Sequence, residues 1–500
     1  MSSVVVNAWI GVVFLFIFFT WIGIKFSKIS STKDFLLMGR KVGFWMFFGA
    51  YTGSSIGGSS VAGYTGYGWD LGLSSIWVIS VSGITVPLFA MIFAKKINVF
   101  GRLNNAYTIA DFLAIRFGKY FQIPAMLIAY TRPAFITGLQ FLALGLVFNV
   151  GFGIPLKFGV LIGAAVVILY VITGGQYSAI IAQWLQSILQ GAGLLLLMGV
   201  TLYYNGGLSA GISSMYTNLS AAQLNVWNTD FSIFTVWIIS MGVFYFVDPW
   251  LYQWAYMAKK PQTSSDALVA ISLSSPWILI SFLAGMLLAA AANSGALAFP
   301  AGTTPDQIFL VFISKMIHPL LGAFMLVAFL MTVMSCASSF LITGATVMQS
   351  DLYMKFINPN ATEKQNIRFS RFFIILTSVF GIIAALWVPF LVPLWIIGQA
   401  IVVSGLLWPT LSAWFWKRAT AKAAWASLCT GGLSSIGWAI YAWLKTGSPD
   451  NLIYNLHAVH IGLGLSLILM VVVSLLTKPD PIEMVNKTNW KKIPWNVEEG

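Results

Sequence analysis

Two stretches far apart in the chain place oxygen among apolar side chains. Residues 51–60 read YTGSSIGGSS, and residues 331–340 read MTVMSCASSF. In the first, Gly53, Gly57 and Gly58 invite a helix to break, and Thr52, Ser54, Ser55, Ser59 and Ser60 put hydroxyls around the break. In the second, Thr332, Ser335 and Ser339 recur at i, i+3 and i+7, so they share one helix face, with Cys336 beside it. A hard monovalent cation needs several oxygen ligands. Carbonyls freed by a broken helix, joined by hydroxyls from a second helix, supply them. Close packing of small residues is the other use of such a stretch.

Two charges sit where charge is costly. AYTRPAF (129–135) carries Arg132 thirteen residues beyond Lys119, roughly 20 Å along a helix. At a bilayer centre an arginine costs about 2.5–3.5 kcal/mol, so it needs a carboxylate, carbonyls or water. Pro133 removes a helix hydrogen bond and frees the carbonyl of Ala129. Two readings stand: a bidentate pair with the carboxylate of a bound solute, or a structural tie to Asp248 or to carbonyls. Asp248 is an acid well inside an apolar run, just before Pro249. It is a candidate proton site by position, or a cap for freed backbone donors. Cys336 is a weaker candidate proton carrier.

These residues need elements that cross hydrocarbon, and the composition supplies them. The 500-residue chain is 58% hydrophobic and 8% charged, against roughly 25% charged in soluble domains. Apolar runs of bilayer-spanning length predict thirteen spans near 4–26, 43–64, 70–94, 121–148, 156–175, 179–204, 230–257, 267–293, 318–350, 367–388, 390–415, 421–444 and 456–477. Lys25 follows the first run instead of preceding it, which predicts a retained helix with its N-terminus outside. That topology places 23 of the 27 Lys and Arg residues on the cytoplasmic side, as the positive-inside rule requires. The net charge of +13 therefore reflects topology and makes no case for nucleic acid.

The transmembrane domain is expected over 1–477 and a cytoplasmic tail over 478–500. Cys336 and Cys429 both fall in apolar runs, so a disulfide framework is not expected. His318, His457 and His460 read as surface histidines near outer span ends. No phosphate-binding loop of the Walker type occurs, which argues against ATP-driven pumping.

The same residues resemble the sodium:solute symporter family. STKDFLLMGRKVGFW (31–45), YTIADFLAIRFG (107–118), TGGQYSAIIAQWLQ (173–186), VDPWLYQWAYMAKKP (247–261) and SCASSFLITGATVMQSDLY (335–353) are similar, in order, to that family's segments. The likeness covers residues 5 to about 450. It implies an all-α, leucine-transporter-like fold of five-plus-five inverted repeats with discontinuous helices, N-out and C-in. Spans two to six (about 43–204) and seven to eleven (about 230–415) would be the repeats. It also implies a sodium site at Gly53 and Ile56, through carbonyls, with Thr332, Ser335 and Cys336. An aromatic inner gate would fall at Phe244 or Tyr245.

Three departures from the family pattern keep the coupling ion open between sodium and proton. Cys336 replaces a hydroxyl, and a thiol is a poor ligand for a hard cation. Ser55 stands where Asp or Asn is frequent. Gln183 aligns with an aspartate of the Gly-Gly segment. The expected function is a secondary active transporter importing a small anionic or zwitterionic solute, a carboxylate or amino acid, through the plasma membrane. Arg132, Ser59 and Ser60 are its expected ligands, the solute and the lipid bilayer its partners, and no cofactor is expected. The oligomeric state is left open. The alternative is an uncoupled facilitator or channel with a degenerate ion site. A membrane enzyme is disfavoured, because the spans lack clustered histidines and nearly lack acids for acid–base chemistry. A sensor is disfavoured too, since the short tail has no room for a signalling domain.

Overall fold

The computed structural model describes residues 31–273 and 276–496, together with seven positions between 10 and 25. The expected first span and the last four residues therefore lie mostly or wholly outside the described residues. Each of the other twelve expected spans meets helix. Eight helical runs among the described residues are long and apolar enough to cross a bilayer, and Ile278–Asn293 is a shorter apolar helix. Outside helices and turns, the described residues contain only two isolated bridges, Val42 with Ala258 and Ile453 with Leu456.

Two spans are discontinuous, each for a reason visible in its residues. In span two a helix over Phe44–Ser55 stops at Ile56, whose φ of −96° and ψ of 119° are extended. The chain resumes as a wide turn over Ser59–Gly63 and a helix over Tyr64–Asp70. Span seven runs as helix over Phe231–Met241, breaks at Gly242, and passes through a tight 3-10 stretch over Val243–Val247. It then restarts over Pro249–Met257. Pro249 suits a first helical position because its missing N–H would have no partner there. Asp248 caps this restart, accepting from the N–H of Trp250 at 2.9 Å.

Spans five and six form one hydrogen-bonded run, Leu156–Tyr204, folded at Gly175. Its φ of 53° and ψ of −145° exclude an ordinary side chain, and a Cβ there would meet the Phe35 ring at 2.7 Å. At about 1.5 Å per residue, the 49 residues would overshoot a bilayer without this fold.

Burial ranks the spans. The most apolar windows of spans four, nine and eleven are 72%, 78% and 83% buried, against 28% for span thirteen. The first three form the centre, and span thirteen packs at the edge on span twelve. Exposed side chains such as Trp45, Ile84 and Leu433 suit a lipid-facing surface.

The motifs at one set of span ends serve architecture. Val42 bridges the two broken spans, donating its N–H to the Met257 carbonyl at 3.2 Å and accepting from the Lys259 N–H at 2.8 Å. Asp111 accepts from the N–H of Tyr107 at 2.6 Å and from Gln122 at 2.6 Å, and pairs with Lys355. Asp351 accepts from Thr108 at 2.7 Å and Gln122 at 2.8 Å. One reading is corrected: His457 is buried, because its ring meets Asp450 at 3.0 Å at the start of span thirteen. His460 faces Thr235 of span seven at 2.9 Å.

Candidate functional site

Span nine, Pro319–Met348, lies across the break in span two and brings the two oxygen-rich stretches together. The Ser335 hydroxyl donates to the carbonyl of Gly53 at 2.6 Å and to that of Thr332 at 2.7 Å. The Ile56 carbonyl accepts from Gln190 at 3.2 Å. Thr332 donates to Ala328 on its own helix at 2.8 Å. It shares with Gln190 the wall of a small cavity of about 260 Å³. Gly53, Thr332 and Ser335 thus form an oxygen cluster, and Gln190 ties the Ile56 carbonyl to the cavity that Thr332 lines. Cys336 lies at the edge of the cluster, beside Gly57. Ser339 turns away and accepts from the Trp250 indole at 2.8 Å.

Beside this cluster lies a chamber of about 430 Å³, lined by Ser59, Ser60, Arg132, Gln140, Tyr245 and Cys336, with aromatic walls from Tyr51, Trp250, Phe340 and Trp395. Tyr51 stacks on Trp250 at 4.5 Å and Trp250 on Phe340 at 5.1 Å. A second chamber of about 640 Å³ shares Tyr51, Ser55, Ser60, Tyr245 and Trp395 with the first and reaches Ser82 and Gly83. Small-molecule sites have this character, with apolar walls and a few placed polar groups.

Arg132 is buried and forms an ion pair with Asp248. The structure therefore realises the tie to Asp248, and Asp248 combines it with the capping of span seven. The guanidinium also lies over Phe244 at 4.5 Å and Phe340 at 5.0 Å, a cation–π setting that further offsets the charge. The Oδ2 of Asp248 and the Nε of Arg132 have no hydrogen-bond partner among the described residues. Tyr245 stands where the two chambers meet, while Phe244 supports the arginine from below.

Three glutamines hold this region, of which sequence reasoning missed Gln140 and Gln190. Gln140 accepts from the N–H of Gly58 at 2.8 Å. Gln190 holds Ile56, and Gln183 donates to Ser338 at 3.2 Å. Their signal was present, since a glutamine inside an apolar span must find partners. Gln183 had been noted only as a departure from a pattern.

Two broken helices around a shared cavity, with an oxygen cluster on one flank and a buried ion pair on the other, are the frame of a secondary transporter. The pattern of the sodium:solute symporter family matches residues 35–431, and the chain belongs to that family. It is a multi-pass membrane protein and a sodium-coupled secondary transporter importing a small organic solute, and not an enzyme. Family membership supports sodium, and not the proton, as the coupling ion.

Among similar proteins, the osmoregulated proline transporter OpuE of Bacillus subtilis is 25% identical over 91% of each chain. A sodium/proline symporter of Staphylococcus aureus is 26% identical over 90% of this chain and 88% of its own. Among solved structures, a Na+-coupled sialic acid symporter in a substrate-bound outward-open state aligns with a TM-score of 0.77 at 18% identity, covering 95% of this chain and 98% of its own. MhsT in complex with L-phenylalanine aligns at 0.53 and 15% identity, covering 87% of this chain and 99% of its own. These two show a shared fold.

Proposed function

We propose that the chain imports a zwitterionic solute of amino-acid size across the plasma membrane with sodium, and that the Arg132–Asp248 pair selects it. The buried pair carries this reading. A carboxylate that took Arg132 alone would leave Asp248 charged and dry. Breaking a buried pair from one side costs about 3–5 kcal/mol. A solute that brings an ammonium with its carboxylate answers both halves: carboxylate for Arg132, which lines the chamber, and ammonium to balance Asp248, which is fully buried and does not line it. Ser59 and Ser60, on the wall of the same chamber, complete the polar contacts. Proline, which the relatives' names specify, has this charge pattern.

Sodium is assigned to the Gly53 and Ile56 carbonyls and the Thr332 and Ser335 hydroxyls, with Cys336 at the margin. Spans two to six and seven to eleven act as the inverted repeats, in a thirteen-span arrangement with the N-terminus outside and the tail inside. Tyr245 and Phe244 form the gate, set on the 3-10 stretch that interrupts span seven.

The test is thermal stabilisation of the purified protein by proline, proline methyl ester and cyclopentanecarboxylate, each in sodium and in potassium. A ligand at a hundredfold excess over Kd stabilises by about 2.7 kcal/mol. Proline alone should shift the melting temperature, more in sodium. Equal shifts from cyclopentanecarboxylate would remove the zwitterion assignment, and indifference to sodium would remove the ion assignment.

A further inference from the structure

The break in span two leaves backbone donors without helical partners, as every helix start does. Gly58 gives its N–H to the Oε1 of Gln140 at 2.8 Å. Because a backbone N–H can only donate, the amide oxygen must face Gly58, and the nitrogen is left for the chamber that Gln140 lines. Gln140 lies on span four, Gln122–Phe152, at i+8 from Arg132 with Ile136 between them, and all three line that chamber. Residues four and eight apart share a helix face.

The contact has no slack. A Cβ on Gly57 would meet Gln140 Oε1 at 2.7 Å, its Nε2 at 2.8 Å and Cys336 Sγ at 2.9 Å. A Cβ on Gly58 would meet Ala143 at 2.3 Å. The peptide that presents the Ile56 carbonyl to the ion cluster is thus wedged between Gln140 and Cys336. Turning that carbonyl toward an ion, or away from it, moves Gly57 against the amide and so moves a wall of the chamber.

We infer that Gln140 is a positioning residue that couples the ion cluster to the solute chamber, through its bond to Gly58 and its packing on Gly57. This rests on the assignment of sodium to the cluster beside Ile56. The consequence is reciprocal: ion occupancy alters the chamber, and chamber occupancy alters ion affinity by the same factor. Gln140→Met keeps much of the shape and removes the acceptor. Gln140→Glu keeps an acceptor at the same reach.

The native Cys336 reports on the chamber wall without any solute. In a Cys429→Ser background, the rate at which a small methanethiosulfonate converts Cys336 to a mixed disulfide, with release of methanesulfinate, is measured in sodium and in potassium, beside the melting temperature. Sodium should change the labelling rate at least severalfold. Gln140→Met should bring that change within about twofold while sodium still raises the melting temperature, and Gln140→Glu should restore the change. An unaltered sodium response of labelling in Gln140→Met, or no response in the parent protein, overturns the coupling role. So does loss of the sodium-induced melting shift in Gln140→Met, which would make the residue merely part of the ion site. A parent protein whose melting temperature ignores sodium instead refutes the ion assignment itself.

Discussion

The Ser335 hydroxyl reaches the Gly53 carbonyl at 2.6 Å, joining the middle of span nine to the last turn before the break in span two. Its single proton is shared with the Thr332 carbonyl at 2.7 Å, which leaves the hydroxyl's lone pairs for a cation. Ser335→Ala removes a proposed sodium ligand and the bond that ties span nine to span two. It should cost about 1 kcal/mol of stability, the usual worth of such a bond, and weaken the sodium-induced melting shift at least tenfold in sodium concentration. Ser335→Thr should keep most of the response. Cys336→Ser, which exchanges a soft ligand for a hard one, should move the sodium titration to lower concentration. Melting temperature against sodium concentration reads all three.

The Arg132–Asp248 pair makes a separate energetic prediction. Asp248→Asn retains an acceptor for the Trp250 N–H but strands the arginine. It should destabilise the protein by about 3–5 kcal/mol, the cost of leaving one buried charge alone. Arg132→Met should behave likewise from the other side. The double variant should recover most of the loss, because no buried charge is left without its partner, yet it should bind no zwitterion. Denaturation of the four proteins in a double-mutant cycle, with proline binding measured alongside, gives both quantities.

The sequence located the break among Gly53, Gly57 and Gly58, around the extended Ile56 of the structure, because glycine and hydroxyl residues have few other uses at that density inside an apolar run. It placed Thr332 and Ser335 on one face because helical periodicity is a local property. The partner of Arg132 was legible only as an alternative: Asp248 is 116 positions away, and no periodicity relates two helices that meet only after folding. Gln140 and Gln190 escaped for a similar reason. Each looks like a stray polar residue until the freed N–H of Gly58 and the carbonyl of Ile56 are seen to need it. Likewise, His457 lies near a span end, as a surface residue would, and only the loop carrying Asp450 buries it.

Asp306, in the connection between spans eight and nine, accepts from the N–H of Leu391 at the start of span eleven at 3.2 Å. Burial pushes its carboxyl above the usual carboxylate range, and the bond to Leu391 only partly opposes this. A raised pKa means that the folded state holds the proton more tightly than the unfolded chain does. The stability it contributes is complete below the unfolded value of about 3.9 and is lost as pH rises through the folded value. Asp306→Asn, which keeps the acceptor without the charge, should flatten the melting temperature across that window and raise it at neutral pH. A steeper profile in the variant would contradict the sign.

The described tail residues, 478–496, are docked, and their anchor is a lysine. Lys96, just past the end of the expected third span, is 3% exposed. Its ammonium donates to the carbonyl of Ile493 at 3.0 Å and to that of Trp490, and it lies over the Trp490 ring at 4.3 Å and the Trp495 ring at 4.5 Å. The Trp490 N–H donates to the Trp414 carbonyl at the end of span eleven at 2.9 Å. The Trp414 indole in turn faces the Tyr252 hydroxyl in the second half of span seven at 3.4 Å. Arg116 holds Asp480 at 2.7 Å. Trp490 is half-buried, so Trp490→Ala should cost up to about 3 kcal/mol, the low end for large aromatic truncations, and it strips the anchoring ring from a buried ammonium. In a Lys96→Met background the same truncation should cost less, because no charge is left behind; neighbouring residues couple by about 0.5–3 kcal/mol. Lys487, Lys491 and Lys492 are exposed and provide the readout. Trypsin should cut the tail of Trp490→Ala well before that of the parent protein. Equal cleavage rates, or a Trp490→Ala cost that ignores Lys96, would mean that the lysine does not anchor the tail.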